Sequence, residues 1–134
     1  MKIFAIDHES WVELKHNNSE SYDSFEIQVV MDVVHSQFQA HNKDVHFLGL
    51  PTFVKKLKEM QAERASLARL EGTYQCHLQL EKKCERLFLS FAVGSTIAAT
   101  MTNDSQDFVF ESEFEIDEQS FNLIIQDFEA IDYY

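Results

Sequence analysis

Between Phe25 and Val33 an apolar residue stands at every second position (Phe25, Ile27, Val29, Met31, Val33), with Glu26, Gln28 and Asp32 between them and Val30 as the exception. A period of two is that of a strand with one face turned to a core. Ile3 to Ile6 and Trp11 to Lys15 read as two shorter strands joined through Asp7-His8-Glu9-Ser10, Asn17 to Ser24 reads as a polar loop, and Gln37 to Asn42 and Val45 to Leu48 as weaker strands. At Leu50 the period changes: Leu50, Phe53, Val54, Leu57 and Met60 mark one face at helical spacing, with Pro51 where a first turn tolerates its missing N–H. A helix of about four turns is predicted, with Lys55 and Glu59 as an i,i+4 pair on its outer face.

Alternation then returns. Tyr74, Cys76, Leu78 and Leu80 form one apolar series, Leu87, Leu89, Phe91 and Val93 a second, Ile97, Ala99 and Met101 a third. Phe108, Phe110, Phe114 and Ile116 form a fourth, with Glu111, Glu113 and Glu115 on the opposite face. Short turns between these runs, among them Gly94-Ser95-Thr96, predict an antiparallel meander, since parallel pairing needs long crossovers. Asp117 is placed as an N-cap, and Phe121, Ile124, Ile125, Phe128 and Ile131 form the buried stripe of a last helix expected on the phenylalanine face. The fold class is α+β: a mostly antiparallel sheet of about seven or eight strands with a central and a C-terminal helix packed on it. Residues 1–134 read as a single domain, long enough for a core without metal or disulfide staples.

Composition narrows the chemistry. Only three glycines are present, and phosphate-cradling loops need glycine where backbone approaches ligand, so nucleotide-dependent enzymes of the P-loop and dinucleotide-binding kinds are disfavoured. Apolar runs of a few residues fall far short of the ~20 that cross a bilayer. The first residues lack the apolar segment and cleavage site of a secretory signal, so a cytoplasmic location is expected. Cys76 and Cys84 flank a turn expected around Lys82-Lys83; an extended strand would hold them about 16 Å apart, against the ~7 Å a disulfide allows, so two reduced thiols are expected. The six histidines show no metal-ligand spacing, and His41, Asp44 and His46 form only a loose set in an ill-defined loop. No nucleophile stands at a strained elbow. Neither cofactor nor metal is expected, and the chain reads as a non-enzyme.

Charge is the more informative pattern. The net charge is -12, and residues 1–53, 54–86 and 87–134 carry -5, +3 and -10, the last segment having no Lys or Arg at all. Phosphate contacts need cations, so nucleic acid is not the expected partner. A basic protein is, with Asp104, Asp107, Glu111, Glu113, Glu115, Asp127 and Glu129 as candidate contacts. Acidic faces also serve solubility, and a glutamate ladder discourages edge-to-edge pairing. Aligned like charges without interspersed lysines repel, however, which favours a binding surface.

The stretch Phe108-Val-Phe-Glu-Ser-Glu-Phe-Glu-Ile-Asp-Glu-Gln-Ser-Phe-Asn-Leu-Ile-Ile-Gln-Asp-Phe resembles the ending of small bacterial immunity proteins of the WapI type and related contact-dependent-inhibition and polymorphic-toxin families. These end in an alternating strand, an Asp-x-x-(Ser/Thr) start and an amphipathic helix. The order upstream, with a helix beginning near Leu50 and a segment like Leu70-Glu71-Gly72 before a meander, is also similar. The resemblance implies neutralisation of a cognate toxin domain, often a nuclease, by tight one-to-one binding; the chain itself is expected to be a monomer or weak homodimer. The alternatives are a non-enzymatic adaptor or homo-oligomeric assembly module, or a small hydrolase or ligand carrier that gathers polar groups such as His35 with Glu26 or Asp32.

Overall fold

The computed structural model describes residues 1–19, 22–98 and 105–131. Two antiparallel sheets form. The first runs β1 (Lys2–Phe4), β2 (Trp11–Ser19), β3 (Tyr22–Val33) and β4 (Ser36–Val45) in spatial order β1-β2-β3-β4. The second runs β5 (Phe47–Leu48), β6 (Leu67–Gly72), β7 (His77–Lys83), β8 (Arg86–Ala98) and β9 (Ser105–Ile116) in order β5-β6-β7-β8-β9. Helices α1 (Leu50–Gln61) and α2 (Glu118–Glu129) interrupt and close the series. The fold class is the expected α+β, with the strands divided between two antiparallel sheets of four and five rather than gathered in one sheet of about seven or eight.

The chain changes sheet at a corner: β4 ends at Val45, His46 turns, and β5 pairs with β6 through Phe47↔Gly72. Thr73 seals the corner, its N–H donating to His46 O at 3.0 Å and its Oγ1 accepting from His46 N at 3.1 Å. At the opposite margin Ile6 N donates to Glu115 O of β9 at 2.9 Å, so the sheets are stitched there too. A one-residue bulge in β4, where Phe25 faces Val45 but Ile27 faces Asn42, lets both Asn42 and Val45 turn inward.

The buried apolar residues make one cluster drawn from both sheets and both helices. In α1 the buried face is Leu50, Phe53, Leu57 and Met60, as the periodicity predicts. Its exposed ion pair is Lys56 with Glu59 at 3.1 Å, three residues apart rather than the expected Lys55 pair. In α2 Asp117 Oδ1 accepts from Ser120 N at 2.7 Å, and Phe121, Ile124, Ile125 and Phe128 are buried. That capping bond holds the Asp117 carboxyl below its usual range. Phe128 meets Phe53 edge to face at 5.2 Å. The C-terminal helix therefore packs chiefly on α1 and β1 rather than along the phenylalanine face of β9.

Four local readings change. The polar stretch 17–24 is largely strand, with Asn17↔Ser24, Asn18↔Asp23 and Ser19↔Tyr22 in register, because ladder hydrogen bonds need no apolar side chain. Gly94-Ser95-Thr96 is no hairpin turn: these residues lie within the thirteen-residue β8, and Ile97 belongs to the same strand, while Ala99 and Met101 fall outside the described residues. The β7–β8 turn sits at Cys84 and Glu85, both left-handed with φ 49° and 65°, rather than at Lys82-Lys83. Tyr74 likewise belongs not to a strand but to a short 3-10 turn, Thr73–Gln75, in which Tyr74 and Gln75 have φ 57° and 61°.

Candidate functional site

The glutamates of β9 alternate outward as the sequence predicts, across from Ala92, Ser90 and Phe88 of β8. The structure then supplies their counter-charges. Lys83 and Arg86, at the two ends of the β7–β8 turn, reach across the outer face. Lys83 Nζ lies 3.4 Å from Glu113 and 3.6 Å from Glu81, and both attractions raise its pKa. Arg86 grips Glu115 with two parallel bonds, Nε to Oε1 at 2.9 Å and Nη2 to Oε2 at 2.5 Å, which hold the Glu115 carboxyl below its usual range. Both cations also lie over the Phe88 ring, at 5.3 and 5.5 Å. The positive middle segment of the chain thus folds onto the negative last one, and much of the expected anionic ladder is a mixed-charge surface.

The other candidates scatter. Glu129 pairs with Lys58 of α1 at 2.7 Å. Asp127 is exposed on α2, beside a cleft that His16, Phe25 and Ile131 also line. Glu111 is exposed and enters no ion pair among the described residues; it acts on His77 of β7, raising its pKa against the larger lowering by burial. Asp104 lies outside the described residues, as does the Asp107 side chain. The five candidate acids whose side chains are described therefore do not converge on one patch.

The histidines are dispersed as well. His41 and Glu26 share a 2.6 Å hydrogen bond across β3 and β4, His46 stands 3.4 Å from Asp44, and His35 is exposed in the β3–β4 turn, where it lines a surface cleft with Asp32 but not with Glu26. His41 and Asp44 lie in strand β4, not in a loop. Among the described residues no group of three or more His, Cys, Asp or Glu is placed to hold a metal. Cys84 is exposed; Cys76 is fully buried, and burial pushes its thiol pKa up. No helix among them is long and apolar enough to cross a membrane.

One feature of the surface was not legible in the sequence. Phe38 of β4 and Phe108 of β9 are 50% and 54% exposed, although both belong to the apolar series that face inward. Phe38 stands opposite buried Met31, and Phe110 opposite buried Val93, with Phe108 two residues before it on the same face. Here the two inner faces run past the cover of the helices and the sandwich opens. Phe38 and Phe110 approach at 6.4 Å between ring centroids, and a groove of about 320 Å³ runs beside them between residues 39–41 and residues 93–95 and 108–110.

A knot of polar contacts forms one end of this groove. Tyr74 O presses onto Gly94, where a Cβ would lie 1.7 Å from it. Asn42 Nδ2 donates to Gly94 O at 2.7 Å, and Gly94 N donates to Cys76 Sγ at 3.3 Å. The glycine is required because a distant turn occupies the space of its side chain. No protein family, curated protein or solved structure matches this chain.

Proposed function

We propose that this chain is a non-enzymatic immunity protein that acts in the cytoplasm, binding a cognate basic toxin domain of bacterial origin and neutralising it. The observation that carries the reading is the open end of the sandwich, where Phe38 and Phe108 are uncovered beside a groove lined by no lysine or arginine, with exposed Glu111 close by on β9. Interfaces draw their energy from a few central aromatic anchors, while surrounding charges steer encounter and select the partner. The likeness of residues 108–128 to the immunity proteins supports the same reading. Glu111 is the favoured contact among the acids, because Glu113, Glu115 and Glu129 are already matched within the chain.

The test is co-expression with the product of the reading frame immediately upstream. A one-to-one complex by light scattering, with association that slows steeply as salt is raised and slows again in Glu111→Lys, is the expected result. Failure to co-purify, or a toxin activity untouched by excess of this chain, would discard the proposal. The same apolar end supports a second reading, self-association, which light scattering of the isolated chain separates from the first.

A further inference from the structure

We infer that the groove between β4 and the β8–β9 pair receives an extended segment of the partner, which adds to the free edge of β4 as a fifth strand and seats its apolar side chains on Phe38, Phe108 and Phe110. The inference rests on the protein-binding reading above and names its surface and mode. Three observations carry it. First, β4 is the outermost strand of its sheet and pairs only with β3, so its other edge presents unpaired backbone groups along the groove. Extended peptides use such an edge, gaining affinity from main-chain hydrogen bonds and selectivity from alternate side-chain pockets.

Second, the stretch of this edge beside the groove is unguarded, the strand's Lys43, Asp44 and bulge all lying at its other end. Residues 33–42 contain no Lys, Arg, Asp, Glu or Pro. The exposed margin of β9, by contrast, is lined by Glu111, Glu113 and Glu115. Third, charge selects the occupant. The groove is lined by residues 39–41, 93–95 and 108–110, none of them lysine or arginine, and exposed Glu111 follows directly on β9 in a chain of net charge -12. A second copy would bring like charge to like charge. A segment with apolar alternation and lysine or arginine at its flanks is the complement.

The probe is a synthetic labelled peptide of alternating valine and threonine with a lysine pair at each end, set against its glutamate-flanked counterpart and titrated into the full chain by fluorescence anisotropy. The lysine-flanked peptide is expected to bind at least about tenfold more tightly than its counterpart, and Phe38→Ser or Phe108→Ser to weaken it by about tenfold or more. Leu123→Ser, on the exposed face of α2, leaves binding unchanged. Amide exchange at residues 36–42 slows on peptide addition, as strand pairing requires and mere apolar contact does not. Equal binding of the two peptides, unchanged exchange, or equal effects of all three substitutions would overturn the inference. So would a stable dimer of the isolated chain that Phe38→Ser dissolves, since the occupant would then be a second copy. If the upstream product co-purifies equally well with Phe38→Ser and wild type, the groove fails while the immunity reading stands. If the peptide binds as described but no upstream product is captured, the immunity reading fails while the groove stands.

Discussion

Replacing Gly94 by alanine tests the geometry around the groove most directly. The new methyl would lie 1.7 Å from Tyr74 O and 2.9 Å from Tyr74 C, and for an ordinary contact of about 3.4 Å the carbonyl must retreat by about 1.7 Å. It has little freedom to do so. Thr73 is bonded to His46 through both its N–H and its hydroxyl, Cys76 N donates to Thr73 O, and Gly72 N donates to Cys76 O. Overpacking against a pinned backbone costs about 1–3 kcal/mol, and losing the Asn42 and Cys76 bonds to Gly94 costs about 1 kcal/mol each. Gly94→Ala should therefore destabilise the protein by about 3–5 kcal/mol, a large share of the roughly 5–15 kcal/mol that holds a domain folded. Gly49→Ala is the comparison: its φ is 73°, but a Cβ there meets nothing within 4 Å, so only the left-handed backbone penalty of about 1 kcal/mol applies. Urea unfolding followed by circular dichroism measures both, with the expected difference in midpoint and little change in slope. If Gly94→Ala loses no more than Gly49→Ala, the close approach of Tyr74 is not what holds these strands together.

Further outcomes follow from the same contacts. Asp117→Ala removes the cap of α2 and should cost about 1 kcal/mol by thermal or urea unfolding. Glu115 has its folded pKa depressed by Arg86, so its contribution is present above the unfolded value and lost as pH falls through the carboxylate range toward the folded one. The stability gap between wild type and Arg86→Ala should therefore shrink on acidification; a gap that stays constant would deny the pair. In native protein a thiol reagent should label Cys84 at once and Cys76 only on unfolding, and simultaneous labelling of both would contradict the burial of Cys76.

Legibility in the sequence followed the locality of each cause. Phe25–Val33 and Phe108–Ile116 announce themselves because side-chain alternation is decided within the strand, and both helices because their apolar spacing and the Asp117 cap are local as well. Gly94 misled because its reason lies in Tyr74, twenty residues away in sequence, and not in any turn of its own. Cys84 and Glu85 adopt left-handed conformations without glycine or asparagine, so no composition signal marked the turn. The acids of β9 were visible as charges, but their neutralisation depends on two cations brought from the neighbouring turn by register. Phe38 and Phe108 obey the same alternation as the buried phenylalanines, and only the extent of the helical cover distinguishes them.

The corner at His46 has a consequence for how the chain acquires its shape. Each sheet is a run of neighbours in sequence, so its ladders can assemble early from short loop closures, whereas the Ile6–Glu115 bond joins positions near opposite ends of the chain. Contacts of that span are the slow ones. During synthesis the first four strands emerge before the second sheet exists, and must wait with one apolar side uncovered. The late event in maturation is then the docking of two finished ribbons, with His46 as their hinge.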